Sequence, residues 1–83
     1  MKMKYVIIDD NLPVIFHSGL THSDVARGLG EVTSAGFCDI YAGLDEGGGE
    51  EVSVSCYGDS FSLKIKSKPE DSILICTMIN SYF

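Results

Sequence analysis

Residues 51–66 read Glu51-Val52-Ser53-Val54-Ser55-Cys56-Tyr57-Gly58-Asp59-Ser60-Phe61-Ser62-Leu63-Lys64-Ile65-Lys66, an apolar/polar alternation interrupted by Gly58-Asp59. Alternation of this kind marks strands buried on one face, and Gly-Asp between two such runs marks a tight hairpin turn. With Gly58 and Asp59 as the loop, Tyr57 pairs with Ser60, Cys56 with Phe61, Ser55 with Ser62, Val54 with Leu63, Ser53 with Lys64 and Val52 with Ile65. Like meets like throughout. One face collects Val52, Val54, Cys56, Phe61, Leu63 and Ile65, whose burial would contribute on the order of 10 kcal/mol gross at about 1.5–3 kcal/mol each. The other face carries Ser53, Ser55, Ser62 and Lys64.

An apolar face of that size needs a cover, and the segment that follows supplies one. Ser67-Lys68-Pro69-Glu70 combines a hydroxyl N-cap, a proline in the first turn and an acid three positions on, with Asp71 next where the helix dipole favours negative charge. These signals predict a helix through residues 72–83 although Ile73, Ile75, Thr77 and Ile79 are β-formers. Its apolar arc, Leu74, Ile75, Cys76, Met78, Ile79 and Tyr82, is broader than one sheet face requires. Leu74, Ile75, Met78, Ile79 and Tyr82 are therefore expected to contact a second copy as well.

Upstream, Tyr5-Val6-Ile7-Ile8-Asp9 and Pro13-Val14-Ile15-Phe16-His17 are strands separated by an Asp10-Asn11 turn, with Pro13 at a strand start or on an edge. Thr21 and Asp24 cap a short helix carrying Val25 and Leu29 on one face, closed by Gly28 or Gly30. Ala35–Ala42 is a further strand, with Cys38 and Ile40 toward the core and Phe37, Asp39 and Tyr41 away, or the reverse. Gly36 marks a bulge or a close backbone approach. The expected fold is α+β: one domain over 1–83, an antiparallel sheet of about five strands in the order ββαβββα, and two helices packed on one face.

The 83 residues hold a single core, and 45% apolar with 22% charged residues excludes a disordered chain. No apolar run spans a membrane, and the few apolar residues before Asp9 are too short for a signal peptide, so a cytoplasmic location is expected. Cys38, Cys56 and Cys76 are odd in number, far apart and embedded in apolar patterns, which points to buried thiols rather than a disulfide framework. A net charge of −6 disfavours direct binding to nucleic acid and favours a basic partner.

Catalytic chemistry finds no set of residues to carry it. His17, His22 and Asp24 have no third partner at metal-ligand spacing, no Gly-x-Ser-x-Gly or activated-thiol pattern occurs, and Gly47-Gly48-Gly49 lacks the Lys-Ser/Thr of a phosphate loop. No cofactor or metal is expected. Two surfaces remain. The acidic residues Asp9, Asp10, Asp45, Glu46, Glu50 and Glu51 could occupy a basic groove on a protein partner. Alternatively, His17, His22, Arg27, Ser53, Ser55, Ser62 and Lys64 could hold a small anionic ligand such as a nucleotide signal, most readily in a dimer.

The phrases His22-Ser-Asp-Val-Ala26, Ser34-Ala-Gly-Phe-Cys38, Tyr57-Gly-Asp-Ser-Phe-Ser-Leu63 and Ser67-Lys-Pro-Glu-Asp71 resemble a group of small uncharacterised phage and prophage proteins over most of residues 4–75. The resemblance implies an origin on a mobile genetic element and carries over no catalytic residue. Together these readings lead to an expected function: a non-enzymatic phage accessory protein that binds and inhibits a host protein. Anti-defence activity of the anti-CRISPR type against a nucleic-acid-binding component is the specific form. A virion or structural interaction module is the third alternative.

Overall fold

In the computed structural model, which describes residues 2–44 and 50–82, the chain runs β1 (Lys2–Ile8), β2 (Leu12–Phe16), α1 (His22–Ala26), β3 (Val32–Leu44), β4 (Glu50–Tyr57), β5 (Asp59–Ser60), β6 (Ile65–Lys66) and α2 (Asp71–Tyr82). The expected α+β class holds. Its main element is a four-stranded antiparallel sheet in the order β2-β1-β3-β4, joined by a small two-stranded β5-β6 sheet.

β1 is central, and Tyr5, Val6, Ile7 and Ile8 are all buried. Since successive strand side chains point to opposite faces, such a run means that both faces are covered. Val6 and Ile8 join Phe16, Ala26 and Ala35, with Val25, Leu63 and Ile65 against them, beneath α1 and the β5–β6 turn. Tyr5 and Ile7 join Cys38 and Ile75, with Ile40, Val54, Cys56, Leu74 and Ile79 against them, beneath α2. The helices therefore lie on opposite faces, correcting the expectation that both share one. A chain whose central strand is apolar on every residue cannot bury it from one side.

Residues 51–66 do not close as one hairpin. β4 pairs instead with β3 from Phe37↔Tyr57 through Cys38↔Cys56 and Ile40↔Val54 to Leu44↔Glu50. This ladder sets Cys38 against Cys56 and Ile40 against Val54, and it is longer than the alternative because β3 extends to Val32–Leu44. Gly58, at φ +77°, turns the chain out of the sheet. The actual hairpin is Asp59–Lys66, pairing Asp59 with Lys66 and Ser60 with Ile65 across a turn that places Lys64 at φ +56°. Val54 and Cys56 thus belong to the α2 core, whereas Leu63 and Ile65 belong to the α1 core.

Gly36 is where these paths cross. A Cβ there would stand 2.5 Å from the Tyr57 carbonyl oxygen and 3.3 Å from the Ser67 Cβ, so the expected close approach is real. The β-bulge lies elsewhere on the strand, at Thr33, skipped between Ile7↔Ser34 and Ile8↔Val32. The β1–β2 turn uses Asp9 and Asp10 at φ +52° and +63°, with the Asn11 amide donating to the Ile8 carbonyl. Two central residues at positive φ match the right-handed twist of the flanking strands.

α1 starts as expected: Thr21 Oγ1 accepts from the Asp24 amide at 3.2 Å. It ends earlier, at Ala26, so Leu29 is half exposed rather than on its apolar face. α2 is capped one residue later than expected. Ser67 Oγ donates to the Gly58 carbonyl at 2.8 Å, while the Asp71 carboxylate reaches back to accept from the Lys68 amide at 2.9 Å. That shift places Pro69 directly after the capping residue, the position where its missing amide costs least.

Candidate functional site

The site develops from one cross-strand row. Phe16 pairs with Lys4, Lys4 with Phe37 and Phe37 with Tyr57, so these four side chains share a face across all four strands. His22, the first residue of α1, wedges over this row. Its ring meets Phe16 edge-on at 5.3 Å and Phe37 edge-on at 6.0 Å, and Phe37 stacks on Tyr57 at 6.0 Å. His22 is 3% exposed, and its Nε2 lies 2.8 Å from the Gly36 carbonyl oxygen. A carbonyl only accepts, so Nε2 carries the proton.

On one side of this row the sheet face is covered by α1 and the β5–β6 turn. On the other side it is open: Lys2, Asp39 and Ser55 form the next row, followed by Tyr41 and Ser53. Tyr41 is 56% exposed. The Lys2 ammonium sits 4.7 Å above the Phe37 ring, a cation–π contact. Where covered and open halves meet, Lys4, Thr21, His22, Phe37, Asp59, Phe61 and Ser62 line a cleft of about 320 Å³. The Lys4 ammonium donates to the Leu20 carbonyl at 2.8 Å, tying the loop before α1 to the sheet.

Phe61 stands at the rim of this cleft and is 95% exposed. The sequence pattern placed it in the core opposite Cys56, and the actual hairpin register overturns that. Its neighbours are held firmly. Ser60 is fully buried, its carbonyl accepts from the Lys64 amide at 2.8 Å and its Oγ from the Leu63 amide at 3.1 Å. Ser62 Oγ accepts from the Ser23 amide at 3.3 Å, binding the turn to α1. The turn presents an aromatic ring on a fixed stem.

The expected ligand-binding residues do not converge. His22 and Ser62 line the cleft. His17 is a surface residue whose Nδ1 accepts from the Gly19 amide at 2.8 Å, and Arg27 pairs with Asp24 on the exposed side of α1 at 3.8 Å. Ser53 and Ser55 are exposed on β4, and Lys64 is exposed beyond the turn.

Among the expected partner-binding acids, Asp9 and Asp10 belong to a structural corner. Asp9 Oδ1 accepts from the Glu31 amide at 3.2 Å, the Asp10 amide donates to Thr33 Oγ1 at 3.0 Å, and the Asp10 carboxylate lies 3.5 Å from the Lys68 ammonium. Glu50 and Glu51 are backbone partners of Leu44 and Gly43, while Asp45 and Glu46 lie outside the described residues.

A second polar cluster lies deep under α2. Asp71 is 2% exposed; its Oδ2 accepts from the Tyr5 hydroxyl at 2.5 Å and from the Lys68 amide, and its Oδ1 from the Ser34 hydroxyl at 2.8 Å. Burial, reinforced by the hydrogen bond to the Asp71 carboxylate, pushes the Tyr5 hydroxyl well above its ordinary range. Burial likewise pushes the Cys38 thiol up to about 11 and the Cys56 thiol up to about 12. All three cysteines are free. Through Asp71, the Tyr5 and Ser34 hydroxyls fasten α2 to β1 and β3, an architectural role.

Among the described residues, no group of three or more His, Cys, Asp or Glu gathers to hold a metal ion, and no helix is long and apolar enough to cross a membrane. No family model matches the chain, and no curated protein or solved structure matches it either.

Proposed function

We propose that this chain is a non-enzymatic binding protein that engages and inhibits a protein partner, with Phe61 as its anchor. The carrying observation is a large aromatic side chain, 95% exposed, on a turn pinned by hydrogen bonds to Ser60 and Ser62. Leaving a phenyl ring in water costs the free chain burial energy that a partner's pocket would return. A pre-ordered stem reduces the conformational entropy lost on association. Aromatic anchors of this kind dominate interface energetics. The adjoining cleft, the Phe37–Tyr57 pair and Tyr41 two rows further along β3 extend the same surface.

The finer reading is a phage-encoded inhibitor of a nucleic-acid-binding host defence component, of the anti-CRISPR type. It draws support from the phage-like phrases and from a net charge of −6, which complements a basic groove. A second reading, a small-ligand binder, is favoured by the volume of the cleft, which falls at the lower end of ligand sites at about 300–1,000 Å³.

The test is affinity capture from bacterial host lysate by the immobilised protein, the Phe61→Ala variant and a variant neutralised at Asp45, Glu46, Glu50 and Glu51. Wild type should retain a partner whose activity it inhibits, Phe61→Ala should lose it, and the neutralised variant should bind more weakly with a shallower salt dependence. Equal retention by wild type and Phe61→Ala would sink the anchor assignment. A thermal-shift screen with cyclic nucleotides isolates the second reading, which requires a stabilisation lost in a Lys4→Ala variant.

A further inference from the structure

The sheet has two edges, and they are built differently. β2 is a five-residue edge strand containing Pro13, which cannot donate to an added strand. β4 is longer, and from Val52 to Tyr57 it contains neither a proline nor a charge, within a chain of net charge −6. Among the described residues no strand lies on its outer side. Proteins normally blunt such an edge with lysine, proline or a bulge, because its backbone groups template another strand; on β4 the Val52 carbonyl also accepts from the Cys76 Sγ of α2 at 3.2 Å.

The order of residues on this edge says which strand fits. About a two-fold axis at Val54, an antiparallel copy sets Val54 against Val54, Ser53 against Ser55 and Val52 against Cys56. Val52, Val54 and Cys56 meet apolar residues and the serines meet serines, while Tyr57 falls opposite Glu51 at the ends of the seam. The axis also brings two copies of α2 to the same side of the joined sheet. Beside β4, a groove of about 340 Å³ runs between Val52 and Val54 on one wall and Ile73, Cys76 and Thr77 on the other. Ile73 is 70% exposed, the largest apolar exposure on α2 among the residues whose side chains are described. Of the residues expected to contact a second copy, Ile75 is fully buried and Leu74 and Ile79 pack against its cluster within the chain.

We propose that two copies of this chain pair through their β4 edges, antiparallel and centred on Val54, to form a continuous eight-stranded sheet with Ile73 of each α2 filling the groove beside the seam. The surface is distinct from the Phe61 cleft, so the dimer would present two Phe61 anchors.

Sedimentation velocity of the full chain at tens of micromolar tests this, using two variants that alter only exposed serines. S53K/S55K sets lysine against lysine across the axis and should shift the population from dimer to monomer, lowering the association constant at least tenfold. S53E/S55K sets opposite charges against each other in the same register and should remain dimeric. Circular dichroism melts establish that both variants fold; if either is unfolded, a mixture of Ser53→Lys with Ser55→Lys chains and a mixture of Ser53→Lys with Ser55→Glu chains replace them, the first expected to resist heterodimerisation and the second to favour it. A monomeric wild type would overturn the proposal and leave the edge to an extended segment of another protein. A dimer unaffected by S53K/S55K would overturn it in favour of another face, and a folded but monomeric S53E/S55K would overturn the Val54 register.

Discussion

The two faces of the sheet differ in how completely they are closed. The α2 face is covered along Tyr5, Ile7, Cys38 and Ile75 and carries a buried carboxylate whose three donors come from β1, β3 and the segment entering the helix. The α1 face is covered only over its Val6–Ile8 half; it exposes Tyr57 within the His22 row and Tyr41 beyond it, with Phe61 of the β5–β6 turn at the rim. Stability is concentrated on the first face, and recognition surface on the second. A small domain has little apolar area to spare. Leaving a phenyl ring outside is a cost that folding does not explain.

The sharpest way to break this contrast is at Asp71. Asp71→Ala removes the acceptor for the Tyr5 hydroxyl, the Ser34 hydroxyl and the Lys68 amide, all in a buried site. It should cost about 3–5 kcal/mol, most of the stability of a domain this size, read from the urea midpoint. Asp71→Asn keeps an acceptor and should lose roughly half as much.

Next in size is Gly36→Ala. The new methyl would meet the Tyr57 carbonyl oxygen at 2.5 Å, a backbone atom that cannot rotate away. A loss of about 2–3 kcal/mol is expected, with the β4–β5 junction displaced.

Alkaline titration gives a smaller, graded effect centred on the α2 face. The Cys38 and Cys56 thiols rise from 9.0 to about 11 and about 12 in the fold, and Tyr5 shifts in the same direction. Each group therefore ionises in the unfolded chain before it ionises in the native one. Stability should be constant below about pH 9 and fall progressively as pH rises toward 11–12, since the native state binds more protons there. Urea midpoints at about pH 8 and about pH 10 check the sign; no decline would place these groups in more polar surroundings than the structure shows.

The smallest stability change belongs to the site proposed for binding. Phe61→Ala should alter folding free energy by no more than about 0.5 kcal/mol, because almost nothing packs on the ring. Partner capture should nevertheless be lost. A large drop in melting temperature instead would mean that Phe61 serves the fold.

Much of the local structure was legible from residue types. The β1–β2 turn, the Thr21 cap and the helix entered through Pro69 follow from short-range chemistry, whereas the facing of Cys38 and Ile40, which the pattern left open, is set by packing under α2. The two-sided burial was also written in the uninterrupted run Tyr5-Val6-Ile7-Ile8, since a strand covered on one face alternates and one covered on both does not. The candidate site was less legible. His22 reads as a polar helix start, and only tertiary packing surrounds it with Phe16 and Phe37. Phe61 sits in an alternating pattern and reads as core.

Sequence alone determined the in/out alternation of Val52, Val54 and Cys56 against Ser53 and Ser55 and the bend at Gly58, but not that Leu63 and Ile65 lie on the opposite face of the sheet. The neighbour of each strand was decided by the tertiary structure. Alternation specifies a face and is indifferent to the partner. Val52, Val54 and Cys56 find equally apolar company in Phe61, Leu63 and Ile65 or in Ala42, Ile40 and Cys38. The longer β3 ladder, and the need to cover both faces of β1, selected the second arrangement. Gly58 then became an exit from the sheet, and Phe61 was left in solvent at the rim of the cleft.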